Sequence, residues 1–133
     1  MIVIDASSLA KYILREENWK RVRHNLVDDP FSIDLALAEV SNAVWKHHSV
    51  YGKISLEDAL LMFNALKEAQ EIIVFEPLGK YLSSAQKISV KGKVSIYDAL
   101  YIAQAQKYGR LLTSDKKQSE MAQKLGIEVE FIG

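Results

Sequence analysis

Four carboxylates occupy positions in the sequence from which they could act together in a reaction. Asp5 follows the apolar run Ile2–Ile4, and Asp115 stands two residues after the short run 111–113. Runs of this kind predict buried strands, and in parallel sheets ligands bind beyond the carboxyl ends of the strands. The alternative for each of these acids is the N-cap of the next helix, a position that Asp often occupies.

Glu39 and Asp98 are predicted to lie on helix faces that are otherwise apolar. At helical spacing Glu39 shares its face with small or apolar neighbours, and Asp98 shares its face with Tyr101 and Ile102. A carboxylate that points inward costs free energy unless it is paired or bound to a metal. Asp98 has an alternative explanation, because residues 95–98 match a capping box. Glu39 has no comparable structural explanation in the sequence.

If these four acids lie close together in the fold, a cation must bind among them. Two carboxylates about 5 Å apart repel each other by roughly 3 kcal/mol at an effective dielectric constant of about 20. With no cysteine and no clustered histidine in the chain, the oxygen ligands favour Mg²⁺ or Mn²⁺ over zinc. Such ions activate water and neutralise the charge that develops on a phosphodiester during attack. The four acids therefore predict a metal-dependent nuclease.

The elements that must position these acids follow from hydrophobic periodicity and from breakers. The predicted strands are 2–5, 31–33, 72–75, 111–113 and 127–132, and the predicted helices are 7–15, 18–27, 35–50, 55–69, 79–89, 95–108 and 116–125. Strands that alternate with helices favour an α/β fold. We expect one domain over residues 1–133, with a central parallel sheet of four to five short strands and helices on both faces.

Composition limits what kind of partner the chain can bind. The 17 basic and 17 acidic side chains give no net charge, so a nucleic acid would have to be held by a local basic patch. The absence of cysteine excludes disulfides and thiolate nucleophiles. The first apolar run is too short for a signal peptide, and no run approaches the roughly 20 residues that span a membrane. We expect a cytoplasmic protein without a membrane partner.

Four segments of the sequence resemble the motifs of PIN-domain ribonucleases. These are IVIDASS at 2–8, AEVSN at 38–42, YDAL at 97–100 and LTSD at 112–115. Their order and spacing are most similar to those of the VapC toxins of toxin–antitoxin pairs, and the resemblance extends over essentially the whole chain. One departure is Gln118, which stands where relatives often carry an apolar residue, and which bears on local packing.

The resemblance implies an endoribonuclease that depends on Mg²⁺ or Mn²⁺, acts on RNA, is usually a homodimer and is inhibited by a VapB-like antitoxin. It places Asp5, Glu39, Asp98 and Asp115 on the family's acidic quartet, Thr113 on its hydroxyl position and Asn42 on the asparagine that often follows the glutamate. In this hypothesis three of the acids, Asp5, Glu39 and Asp98, hold a first metal ion directly or through water. Asp115 completes the site or helps to hold a second ion, and Thr113 orients a water.

Basic side chains near the acids are candidates for RNA contacts. Lys11, Arg15 and Lys116 lie within a few helical turns of the carboxylates and could bind phosphates. The alternative for each is a solvated helix face. Trp19 and Trp45 could stack on bases, although such residues more often belong to a core or an interface.

Two other functions remain open from the sequence. In a phosphatase that uses Asp5 as a nucleophile, a second Asp would stand two positions later, where this chain has Ser7. A catalytically silent PIN-like module for binding or regulation would share the fold, but an intact set of four acids argues against it.

Overall fold

A computed structural model describes residues 1–133. The strands are β1 (Ile2–Ile4), β2 (Pro30–Ile33), β3 (Val74–Glu76), β4 (Arg110–Thr113) and β5 (Glu128–Phe131). The helices are α1 (Ala6–Ile13), α2 (Trp19–Asn25), α3 (Leu35–Trp45), α4 (Leu56–Ala69), α5 (Leu82–Gly92), α6 (Ile96–Tyr108) and α7 (Lys116–Lys124). A π-helical turn, Lys46–Val50, follows α3, and a 3₁₀ turn, Leu78–Lys80, precedes α5.

The five strands form one parallel sheet in the order β3-β2-β1-β4-β5. The central strand, β1, is buried on both faces, which explains why its sequence is apolar throughout and does not alternate. Ile2 and Ile4 pack into the larger apolar cluster, whereas Val3 packs into the smaller one with Ile102 and Leu111. Because neighbouring side chains of a strand point to opposite faces, the two clusters lie on opposite sides of the sheet. The predicted α/β fold with helices on both faces is confirmed.

Several helix boundaries differ from the sequence-based prediction, most of all those of α3 and α5. The predicted helix 35–50 is α-helical only to Trp45, after which the Tyr51 N–H donates to the Lys46 carbonyl at 2.9 Å, an i to i−5 bond that widens the turn. The predicted helix 79–89 begins at Leu82 and continues through Gly92. A Cβ at Gly92 would lie 2.7 Å from Cε of Met121, so the glycine leaves room for the end of that side chain.

The sheet brings the ends of β1 and β4 together at its carboxyl edge. The Asp5 N–H donates to the Leu112 carbonyl at 3.2 Å and so extends the pairing of the two strands by one bond. Three helices begin at or near this edge, with Asp5, Ser95 and Asp115 as the N-caps of α1, α6 and α7. No helix of this fold has both the length and the apolar character needed to cross a membrane.

A second buried carboxylate ties β3 to α5 and α6. Glu76 is 8 % exposed, and its Oε1 accepts hydrogen bonds from the hydroxyls of Tyr81 at 2.6 Å and Tyr108 at 3.0 Å. Gln104 Nε2 donates to the same oxygen at 3.0 Å, and Lys80 Nζ lies 2.6 Å from Oε2. Burial alone would raise the pKa of Glu76, but these hydrogen bonds outweigh it and lower the pKa to about 2. Glu76 is therefore a charged structural residue, which the sequence analysis did not identify.

Candidate active site

Asp5 is buried where the carboxyl ends of β1 and β4 meet. It is 3 % exposed, and its Oδ1 accepts from the Ser8 N–H at 3.1 Å and from Ser7 Oγ at 2.7 Å. Its Oδ2 accepts from Thr113 Oγ1 at 2.5 Å. Burial raises the pKa of Asp5 to about 6; the hydrogen bonds oppose this effect, and the charge of Asp115 adds to it. Asp5 is thus an N-cap and, at the same time, a buried acid at the sheet edge.

Thr113 and two serines connect the β1 end to the β4 end. Thr113 Oγ1 donates to Asp5 and accepts from the Asp115 N–H at 3.1 Å, so a single hydroxyl contacts both acidic residues. The Ser114 N–H donates to Ser7 Oγ at 2.9 Å, and Ser7 Oγ lies 3.3 Å from Thr113 Oγ1. This positioning role of Ser7 and Ser114 is not predicted by the sequence, although both residues lie within the motif segments.

Asp115 is the N-cap of α7, which is the alternative role that its sequence position indicated. Its Oδ1 accepts from the Gln118 N–H at 3.1 Å, which makes it the N-cap of α7, and the residue is exposed. Gln118 is buried, and its Nε2 donates to the Asp98 carbonyl at 3.0 Å, while its Oε1 has no hydrogen-bond partner. The departure from an apolar residue at position 118 therefore links the start of α7 to the start of α6.

Glu39 has a partner that its sequence neighbourhood does not reveal. The hydroxyl of Tyr101, a residue 2 % exposed, donates to Glu39 Oε1 at 2.6 Å. Partial burial raises the pKa of Glu39; the Tyr101 bond lowers it, and the charge of Asp98 raises it further. Burial and the bond to Glu39 also raise the pKa of Tyr101. This structural explanation of Glu39 is not visible in its sequence neighbourhood, because Tyr101 lies 62 residues away along the chain.

Asp98 is exposed at the start of α6, so the expectation that it points inward is wrong. Its N–H donates to Ser95 Oγ at 3.2 Å, as the capping-box alternative predicted. Partial desolvation of its carboxyl raises the pKa of Asp98, and the charge of Asp115 raises it further. The exposed position suits a carboxylate that faces the mouth of a site.

The four acids influence one another but form no ready-made metal cage. The charge of Asp115 raises the pKa of both Asp5 and Asp98, and the charge of Asp98 raises that of Glu39. None of the four belongs to any of the ion pairs of the structure. No three acidic or histidine side chains are arranged to hold one metal ion.

Of the remaining substrate-binding candidates, two adjoin the acids of the site in the sequence and two lie farther away. Asn42 is exposed on α3 three residues after Glu39, and Lys116 is exposed directly after Asp115. Lys11 lies on α1, about 9 Å along the helix axis from Asp5 at a rise of about 1.5 Å per residue, and Arg15 lies beyond the end of α1. Lys11 Nζ donates to the Glu17 carbonyl at 3.2 Å, and the guanidinium of Arg15 lies over Trp19. Only Asn42 and Lys116 therefore adjoin acids of the candidate site in the sequence.

The fold is that of several solved structures. It matches VapC20 of Mycobacterium tuberculosis, described as a Sarcin-Ricin loop cleaving toxin, with a TM-score of 0.67 and 14 % identity over 90 % of this chain and 94 % of that chain. PAE2754 from Pyrobaculum aerophilum matches with a TM-score of 0.66 and 21 % identity, over 90 % and 83 % of the two chains. FitAcB from Neisseria gonorrhoeae matches with a TM-score of 0.62 and 16 % identity, over 97 % and 96 %.

Sequence comparison extends the likeness beyond the fold. The chain is 31 % identical over 122 residues to Ribonuclease VapC3 of Pyrobaculum aerophilum, across 90 % of this chain and 92 % of the relative. A family model described as the PIN domain matches residues 2–124. The chain therefore belongs to the PIN-domain family.

Proposed function

We propose that the chain is an endoribonuclease whose active centre consists of Asp5, Glu39, Asp98 and Asp115. The observation that carries the proposal is a set of mutually interacting carboxylates at the carboxyl edge of the sheet, none of which is paired with a basic side chain. Three of them have raised pKa values, which is common at functional sites. The likeness to a protein named as a ribonuclease supports RNA as the substrate.

The donor set of the site fits a hard divalent cation, Mg²⁺ or Mn²⁺. The four carboxylates supply only oxygen ligands, and the ordinary protein site for Mg²⁺ uses one or two carboxylates together with waters and substrate phosphates. A site without a three-ligand cage is compatible with this chemistry. Asp5, Glu39 and Asp98 would hold the ion, directly or through water, and Asp115 would complete the site. When bound, the ion supplies activation of water and neutralisation of phosphodiester charge.

The neighbouring side chains of this chain position the acids and the substrate. Thr113 is fully buried, and its hydroxyl contacts both Asp5 and the Asp115 N–H. These contacts support a role for Thr113 in fixing the two acids. Lys116, exposed directly after Asp115, would bind a phosphate, and Asn42, exposed three residues after Glu39, would hydrogen-bond the substrate.

We also propose an antitoxin partner of the VapB type, a homodimeric state and a cytoplasmic location. Apolar side chains are exposed along α4 and at the end of α3, namely Leu56, Leu60, Leu61, Phe63 and Trp45. An apolar surface of this kind is typical of a protein interface. A groove of about 200 Å³ between α1 and α4 is lined by Ile13, Arg15, Asp58, Leu61, Met62 and Ala65. This groove supports the proposal that a peptide segment of the antitoxin binds here.

The proposed activity is tested by incubating the protein with total RNA and Mg²⁺ and mapping the new RNA ends. Asp98→Asn removes one charge of the site without changing side-chain shape, and cleavage should fall by at least about a hundredfold. Asp29→Asn is the matched control, because Asp29 is exposed and precedes β2 at the opposite edge of the sheet. Equal cleavage by wild type and Asp98→Asn would remove the proposed mechanism.

The absence of a three-ligand cage favours one alternative, a silent PIN-like module. A module would not cleave RNA and would not bind Mn²⁺ at millimolar concentration. No comparable observation favours an Asp-nucleophile phosphatase. The second Asp that such an enzyme would carry two positions after Asp5 is Ser7 in this chain, and the Ser7 hydroxyl donates to Asp5 Oδ1.

A further inference from the structure

Three basic side chains surround one tryptophan beyond the end of α1. The guanidinium carbon of Arg15 lies 3.9 Å from a Trp19 ring centroid, and that of Arg23 lies 5.1 Å from it. Lys20 Nζ lies 5.8 Å from the indole. The ring of Tyr12 packs against Trp19 at 6.2 Å between centroids. We name Arg15, Trp19, Lys20 and Arg23 the Arg–Trp cluster.

No carboxylate lies within ion-pair distance of the Arg–Trp cluster. Its three cations are exposed, and none of them belongs to any ion pair of the structure. Residues 11–23 contain five basic and two acidic side chains, a local net charge of +3 in a chain whose net charge is zero. Like charges held close to one ring repel each other, and a bound polyanion would relieve this repulsion.

The backbone of the α1–α2 connection holds the cluster in place. Arg15 has φ 56° and Asn18 has φ 69°, a left-handed conformation that is uncommon for residues other than glycine. Asn18 Nδ2 also donates to the Gly133 carbonyl at 2.9 Å, which fixes the turn to the end of the chain. The turn brings side chains of two helices onto the same ring.

The position of the cluster relates it to the candidate active site. Asp5 caps the beginning of α1, and Arg15 lies two residues beyond its end; the eight residues of α1 alone span about 12 Å at about 1.5 Å per residue, or roughly three to four nucleotides of a stacked strand. Lys11 lies between them, and its Nζ contacts only a neutral carbonyl. The basic groups therefore follow a line that leads away from the acids, and this arrangement suits a linear polyanion better than a compact acidic peptide.

We infer that the Arg–Trp cluster is a second RNA contact, which binds backbone phosphates several nucleotides from the cleaved bond. The acidic pocket repels RNA, so the attraction that brings RNA to a chain without net charge comes from a local basic surface. Arginine N–H groups match phosphate oxygens in geometry, and stacking on the indole holds them in one orientation. The choice of RNA as the ligand rests on the proposed function.

The test measures binding alone, so that its outcome does not depend on cleavage. A short fluorescein-labelled single-stranded RNA is titrated with the protein in EDTA across a series of KCl concentrations, with fluorescence anisotropy as the readout. Each phosphate contact on a single strand contributes about 0.7 to the slope of log K against log salt. The double variant Arg15→Gln with Arg23→Gln should therefore reduce that slope by about 1.4 and weaken binding at low salt by at least about tenfold.

Two further variants make the result specific. Lys87→Gln with Lys91→Gln removes the same charge from α5, where both lysines line a groove with Lys124 and no acidic side chain; its slope should stay near that of wild type. Arg15→Lys with Arg23→Lys keeps the charge and should retain most of the slope. Thermal unfolding followed by circular dichroism verifies that each variant is folded.

Three results would overturn the inference. The first is an equal loss of slope in the α1–α2 and α5 glutamine variants, and the second is a loss in the α5 variant alone. The third is displacement of the RNA by polyglutamate at equal charge concentration, which would assign the cluster to an acidic protein partner. Failure of the proposed ribonuclease activity can be distinguished from these results. In that case the RNA would still bind through the Arg–Trp cluster, with the expected change in salt dependence, but would not be cleaved.

Discussion

At the scale of single residues, each acid of the candidate site is held by the fold and still lacks a positive partner. Asp5 caps α1, Asp115 caps α7 and Glu39 accepts a hydrogen bond from Tyr101. The sequence offered capping and catalysis as alternatives for Asp5 and Asp115, but the geometry allows one side chain to serve both. The Tyr101–Glu39 contact could not be predicted, because it joins two helices that are distant in sequence.

Thr113→Val should lower both stability and activity. The change keeps the side-chain shape but removes the hydroxyl that donates to Asp5 and accepts from the Asp115 N–H. An unsatisfied buried carboxylate oxygen costs about 1–3 kcal/mol, and we expect the free energy of unfolding in urea to fall by that amount. Thr113→Ser keeps the hydroxyl and should restore most of the loss. A valine variant as stable and as active as wild type would show that the hydroxyl positions nothing.

Tyr101→Phe should reduce Mn²⁺ affinity and RNA cleavage more strongly than it reduces the stability of the folded protein. The hydroxyl of Tyr101 orients Glu39 through a 2.6 Å hydrogen bond, and loss of such supporting partners typically costs about 10–100-fold in metal affinity or activity. Calorimetric titration and a cleavage assay measure the two effects. Tyr51→Phe, at an exposed site after α3, is the control. An unchanged Mn²⁺ affinity in Tyr101→Phe would show that the orientation of Glu39 by Tyr101 does not contribute to metal binding.

At the scale of elements, local signals predicted the structure well and long-range contacts limited the prediction. Ser95 begins α6 as its capping box indicates, and the uniformly apolar β1 is the buried central strand. The end of α5 was missed because Gly92 resembles a breaker, whereas its small size serves packing against Met121. The Glu76 network was missed because two of its donors come from α6, about 30 residues further along the chain.

Glu76 should make stability depend on pH in the acidic range. Its pKa is about 2 in the folded protein against an ordinary 4.5, so its contribution is fully present above about pH 4.5 and is lost as the pH falls toward 2. The contribution is at most about 3 kcal/mol. Urea unfolding of wild type and Glu76→Gln should show a stability difference that shrinks between pH 6 and pH 3.

The matched variant for this prediction is Glu120→Gln, which removes one negative charge from the exposed surface of α7. It controls for the change in net charge, because it touches no hydrogen bond of the buried network. A stability difference between wild type and Glu76→Gln that stays constant across this pH range would mean that Glu76 is not the titrating group.

At the scale of the whole molecule, a neutral chain separates its charges in space. The acids without basic partners gather at the carboxyl edge of the sheet, and three unpaired cations gather around Trp19 beyond α1. The sequence predicted the sheet, its two covered faces and the need for a local basic patch. Its total charge could not show where that patch lies, because the location depends on a turn that brings α1 and α2 together.

The most direct test of the acidic centre is calorimetric titration of the protein with Mn²⁺ in the absence of RNA. We expect saturable binding by wild type, at least about tenfold weaker binding by Asp98→Asn, and wild-type binding by the control Asp29→Asn. No binding by wild type at millimolar Mn²⁺, or equal affinity in all three proteins, would contradict the assignment of these carboxylates as a metal centre.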